Sequence, residues 1–168
     1  MNSENKSIIV CGNGISRKQY NFSDIKSKLN CPLWACNLAY LELPADLIFS
    51  VDDDITKFLK NLNVNLATYD PDLKLESASY DKTRQKNSAG MIAVEHAIKL
   101  QYNDIHMYGF DSLSSFDDDE RVSNCYSGAF YEKNRQCTIV DTYRRQLYFN
   151  WIRKTNPNVK FYLNGQRI

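Results

Sequence analysis

Short apolar runs alternate along this chain with segments whose apolar residues recur at helical spacing, and few folds accommodate that alternation. SIIVC at 7–11, LWAC at 33–36, DLIFSV at 46–51, NLATY at 65–69, NDIHMY at 103–108 and NVKFYL at 158–163 read as strands. Each carries β-branched or aromatic residues in a run too short for a helix. Between them, Phe22–Leu29 reads as a short helix capped by Asn21 or Ser23. Ile55, Phe58, Leu59 and Leu62 mark a second helix. Met91, Val94, Ala97, Ile98 and Gln101 mark a third, opened by Asn87-Ser88. The longest spans Thr138–Lys154, with Ile139, Tyr143, Leu147 and Trp151 on one stripe. Strands that alternate with helices predict an α/β fold, a mostly parallel sheet with helices on both faces. The polar stretches 70–86 and 112–137 read as loops or lids.

The 168 residues suffice for a single domain with a sizeable core, and no linker, repeat or low-complexity tract divides them. The charges nearly cancel at +1, which argues against a general nucleic-acid binder. No apolar run of about 18 residues is present, so no membrane span is expected. MNSENKSIIV has neither the charged nor the apolar region of a signal peptide. Cys11, Cys31, Cys36, Cys125 and Cys137 form no CxxC pair and stand far in sequence from both histidines. They argue against zinc and read as the reduced thiols of a cytoplasmic protein. His96, inside the third helix, and His106, in mid-strand, read as structural.

In sheets of this kind ligands bind beyond the carboxyl ends of the strands, near the point where strand order reverses. Those ends carry small or hydrogen-bonding residues: Gly12-Asn13-Gly14, Asn37, Asp52 and Gly109-Phe110-Asp111, with Asn87-Ser88-Ala89-Gly90 opening the third helix. Gly12-Asn13-Gly14 is either a loop that lets a ligand reach the backbone or a tight turn. It is not the dinucleotide fingerprint, because Arg17 stands where the third glycine belongs, and it is not a P-loop. Ser88-Ala89-Gly90 offers the free N–H groups and positive end of a helix to a phosphate, or is an ordinary cap. Asp52 and Asp54 have the Asp-x-Asp spacing that holds Mg²⁺ or Mn²⁺ in many sugar-nucleotide transferases, or they cap the helix that follows. Asp117–Glu120 reads as a solvated charge run.

Taken together, IIVCGNGIS, ACNLAY and SAGMIAVEHAIKLQYNDIHMYGFD resemble, in that order, the bacterial lipooligosaccharide sialyltransferases and the wider group of sialyltransferase-like proteins of bacteria and phages. That pattern is a strand running into G-N-G-x-S, a C-N pair, a small-residue helix start and a strand ending in G-F-D. TIVDTYRRQLYFNWIRKTNPNVKFYL fits the family's closing helix and strand. The resemblance implies a single-domain, Rossmann-like fold over 1–168 that binds a CMP-activated sugar without a metal. It implies that Asn13, between Gly12 and Gly14, and Asn37 contact the nucleotide. It places Ser88, Ala89 and Gly90 at the donor, with Ser88 near the phosphate, and Gly109, Phe110 and Asp111 at the nucleoside pocket. Tyrosines help the phosphate leave in the family, and Tyr126 and Tyr131 are the local candidates. The family's base is a histidine before the closing helix; YSGAFYEKNRQCTIVD has none, so Glu132 or Tyr131 stands in for it.

Three functions follow from this reading. The first is a glycosyltransferase that passes a sugar from a nucleotide donor of the CMP-sugar type to an acceptor, with Glu132 or Asp111 as base. The second is a non-catalytic nucleotide-binding module that lacks the histidine. The third, suggested by pterin pyrophosphokinases on related scaffolds, is a Mg²⁺-dependent phosphotransfer enzyme using Asp52, Asp54 and Asp111. Tyr143, Tyr148, Phe149 and Trp151 on the last helix exceed what one core face requires, so a homo-oligomer interface is a further expectation.

Overall fold

The structure is a computed structural model that describes residues 6–62, 64–68, 88–113 and 139–168. β1 (Ser7–Cys11) enters a 3-10 turn (Ile15–Gln19) and then α1 (Phe22–Leu29). Of the two expected caps, Asn21 serves: its Oδ1 accepts from the N–H groups of Ser23 and Asp24. β2 (Leu33–Cys36) runs into a second 3-10 turn (Asn37–Leu41), and β3 (Leu47–Ser50) into α2 (Asp53–Lys60). β4 (Leu66–Thr68), α3 (Ala89–Lys99), β5 (Asp104–Tyr108), a short 3-10 turn (Asp111–Leu113), α4 (Ile139–Thr155), β6 (Lys160–Leu163) and β7 (Gln166–Arg167) complete the described chain.

The strands form one seven-stranded sheet in the order β4-β3-β2-β1-β5-β6-β7. Every pairing is parallel except β6 with β7. From β1 the chain steps outward through β2 and β3 to β4. It then returns across the sheet to β5 on the other side of β1, so the strand order reverses between β1 and β5.

Register separates the two faces. Ile8 and Val10 pair with Ile105 and Met107, and Val10 with Trp34; these pack with Met91, Val94 and Ala97 of α3 and Tyr148, Phe149 and Ile152 of α4. Ile9 and Cys11 pair with Leu33 and Ala35 and meet Phe22 of α1 on the opposite face. Ile48 packs there on Ile55 and Leu59 of α2. The chain is therefore a Rossmann-like α/β fold, with α1 and α2 on one side of the sheet and α3 and α4 on the other. Among the described residues no helix is long and apolar enough to cross a membrane.

Two features differ from the sequence reading. Of the expected stripe on α4, Tyr143 is 54% exposed and Leu147 and Trp151 are half-buried, while Gln146, Tyr148, Phe149 and Ile152 are buried. The face is chosen by partners on other elements, since Phe149 meets Phe161 edge-on and Tyr148 donates to the Glu95 carboxylate of α3. Of the four surplus aromatics, Tyr148 and Phe149 therefore belong to the core. The second is β7, unforeseen at Gln166–Arg167; it turns back on β6 through Asn164 and Gly165, both at positive φ.

Candidate functional site

Because β1 and β5 lie side by side, the loops that follow them leave the sheet together. Their pairing continues past the strands: the Gly12 N–H donates to Tyr108 O at 2.8 Å, and the Gly14 N–H to Gly109 O at 2.8 Å. A Cβ on Gly12 would sit 2.6 Å from Gly109 O, and a Cβ on Gly109, where φ is +69°, would sit 2.8 Å from Gly12 O. The glycines that suggested a ligand loop are thus required by the approach of two protein backbones. What they leave at the tip is Asn13, half-buried at the switch point.

Asp111 closes the same junction. Its Oδ2 accepts the Ser16 N–H at 3.0 Å, and its Oδ1 accepts the Ser16 hydroxyl. The carboxylate expected to line a nucleoside pocket, or to act as base, binds the β1 loop. Phe110 turns into the main core, and its ring lies 2.8 Å from the place a Cβ on Gly90 would take. Gly90 thereby lets the start of α3 pack closely against the β5 turn. Ser88 is the N-cap of α3, and its Oγ accepts the Met91 N–H at 3.4 Å. Ala89 and Gly90 are buried beneath it.

Asn37 is the most unusual of the expected residues. It begins the turn after β2 with φ at +52°, and it is only 8% exposed. A non-glycine residue held in this region is under backbone strain that the surroundings must maintain. Its Nδ2 donates to Asp52 Oδ2 at 3.4 Å. Its Oδ1 is buried and has no hydrogen-bond partner among the described residues. A buried carbonyl oxygen without a donor is costly, by about 1–3 kcal/mol, so this oxygen calls for a donor from outside the described residues.

Asp52 stands at the N-cap position of α2 but makes no side-chain cap bond, and Asp54 in the first turn is exposed. Among the described residues no three His, Cys, Asp or Glu side chains cluster as metal ligands. Asn87, Tyr126, Tyr131 and Glu132 lie outside the described residues. Both histidines pack on aromatic rings. His96 lies 5.6 Å from Trp34 and from Phe49, and His106 stacks on Tyr162 at 4.3 Å. Burial holds both imidazoles below their ordinary value.

One residue of this edge escaped the sequence reading. Arg17 served there only to reject a fingerprint, yet it is 2% exposed and its Nη1 lies 3.0 Å from Glu42 Oε2. Nothing in I-S-R-K-Q signals a buried cation; tertiary contacts such as the pairing with Glu42 reveal it. A shallow depression of about 620 Å³ lies elsewhere, at the amino ends of β2 and β3, among Lys26, Asn30, Cys31, Pro32, Pro44 and Asp46. Burial pushes the Cys31 thiol there up to about 11, so it is no nucleophile at neutral pH.

No family model, no curated protein and no solved structure matches this chain.

Proposed function

We propose that this chain binds a nucleotide-activated sugar of the CMP-sugar type across the carboxyl ends of β1, β2 and β5 and transfers the sugar to an acceptor. The observation that carries the reading is Asn37, strained, buried and with its Oδ1 lacking a donor among the described residues, at the edge where strand order reverses. An exocyclic amino group of a base, or a ribose hydroxyl, supplies that donor. Asn13 at the neighbouring tip adds a second amide. The amino end of α3, capped by Ser88, adds the positive end of a helix dipole, which favours a phosphate.

In the transfer step, a base takes the proton of the acceptor hydroxyl as its oxygen bonds to the anomeric carbon. The bond from that carbon to the phosphate oxygen breaks, and the electron pair leaves with the nucleotide. Glu132 or Tyr131 is the base in this reading, and Tyr126 or Tyr131 hydrogen-bonds the departing phosphate. Asp111 is the weaker candidate, because Ser16 already occupies both of its oxygens. Cys31 and Cys36, unbridged among the described residues, fit a reducing, cytoplasmic setting in this reading.

The absence of a histidine from YSGAFYEKNRQCTIVD favours a second reading, a nucleotide-binding module without turnover. Thermal shift with nucleoside mono- and diphosphates, with and without Mg²⁺, separates the possibilities. Ligand at a hundred times its Kd adds about 2.7 kcal/mol of stability. A metal-independent shift with CMP supports the first reading, and hydrolysis or transfer of a CMP-sugar completes it. CMP binding without turnover selects the module. A shift that needs Mg²⁺ moves the assignment to Asp52 and Asp54 and to phosphotransfer. No shift with any nucleotide refutes all three.

A further inference from the structure

We infer that Arg17 and Glu42 are a positioning pair that sets the relative placement of Asn13 and Asn37, an inference that rests on the nucleotide reading of that edge. Arg17 belongs to the 3-10 turn after β1, and its backbone N–H donates to Gly14 O at 3.3 Å, one residue beyond Asn13. Glu42 ends the 3-10 turn that Asn37 begins, with its N–H donating to Ala39 O at 3.2 Å. The ion pair at 3.0 Å therefore joins the two turns that carry the two amides. Arg17 also reaches the third loop of the junction. Its Cβ lies 3.2 Å from the place a Cβ on Gly109 would take, so the β5 turn rests against it. One side chain thus braces the turns behind β1, β2 and β5.

The chemistry points to geometry more than to stability. A guanidinium at 2% exposure has lost most of its hydration, and apolar residues of similar volume commonly replace buried ion pairs without loss of stability. The charge-assisted bond instead fixes direction: a planar donor meets a carboxylate over a narrow range of angles. Glu42 is 47% exposed, so it can be changed without opening the core.

The test uses Glu42→Gln, Glu42→Asp and Arg17→Met in the full chain. The side-chain amide NMR signals of Asn13 and Asn37, assigned by their loss in N13D and N37D, report the two turns without any ligand. Calorimetry with CMP reports the site, and thermal unfolding reports the fold. The expected result is that E42Q and R17M move both amide signals and weaken CMP binding at least about fivefold, while E42D restores most of both. Unmoved amide signals overturn the inference. A lowered Tm with unchanged CMP affinity overturns it as well, since the pair is then structural only. If the unsubstituted chain binds no CMP but E42Q still moves both signals, the nucleotide reading falls and the pair's control of the two turns stands.

Discussion

Gly14 and Asp111 are packed so closely that a Cβ on Gly14 would lie 2.5 Å from Asp111 Oδ1 and 2.6 Å from Gly109 O. Gly12 meets the same carbonyl at 2.6 Å, so both glycines press on the β5 turn. The obstacle is backbone, which cannot swing aside as a side-chain tip does. Gly12→Ala and Gly14→Ala should each cost about 1–3 kcal/mol, a fall in Tm of roughly 2–4 °C per kcal/mol for a chain of this size. Thermal unfolding of each variant checks this. A Tm within a degree of the parent's would show that the β1 and β5 turns are not locked together.

Ser16 is the other half of the lock. Ser16→Ala removes the hydroxyl from Asp111 Oδ1 but leaves the Ser16 N–H on Oδ2. A hydrogen bond to a charged acceptor contributes about 1.5–3 kcal/mol, and partial burial places this one toward the lower end. Asp111→Ala removes both bonds and should destabilise more. Urea unfolding gives both values, and an unchanged m-value shows that the loss lies in the folded state. A loss under about 0.5 kcal/mol for D111A, the range of ordinary surface changes, would free Asp111 for the pocket role that the sequence suggested.

The sequence identified the strand pattern and the loop ends, but not what the loop ends do. SIIVC and LWAC are strands over the expected residues, because runs buried on both faces leave no competing pattern. Asn164-Gly165 is the dipeptide most favoured in tight hairpins, and it was legible as the turn into β7 had the two residues after it been long enough to look like a strand. The buried face of α4 was not legible, since helical spacing offers several stripes and partners on other elements, Phe161 and Glu95 among them, select one. Gly12, Gly14 and Gly109 were found by type, yet a glycine that admits a ligand and one that admits another backbone look alike in sequence. Arg17 was invisible because its partner Glu42 stands on a different turn.

Asn37 separates binding from stability. With φ at +52° and a buried Oδ1 that has no partner among the described residues, it gives the folded chain little in return for its strain. Asn37→Gly accepts that φ without penalty and removes the stranded carbonyl. It should leave Tm near the parent value while weakening nucleotide binding by about 1–3 kcal/mol, or roughly 5- to 150-fold. Calorimetry with CMP beside thermal unfolding checks the pair of outcomes. A large fall in Tm with affinity unchanged would assign Asn37 to the fold, as a link between β2 and Asp52.

Both histidines tie stability to pH in one direction. His96 sits against Trp34 and Phe49, and His106 lies on Tyr162; burial keeps each below the ordinary 6.5. Lys99 pushes His96 further down, whereas Asp104 partly offsets the effect at His106. The unfolded chain therefore binds protons that the folded chain refuses. Stability is full above pH 6.5, falls as pH drops through it, and levels off below the folded-state values. A separate loss is expected below the ordinary carboxylate range from Asp46: burial favours its protonated form, but Lys26 and the Leu33 N–H outweigh that and hold it below 3.8. Thermal unfolding from pH 8 to pH 5 should show the first decline. His106→Phe, which keeps a ring against Tyr162, should flatten part of it, and the remainder should follow the quenching of Trp34 emission as His96 gains its proton. A Tm that does not change from pH 8 to pH 5 would mean that neither imidazole is held below its unfolded value.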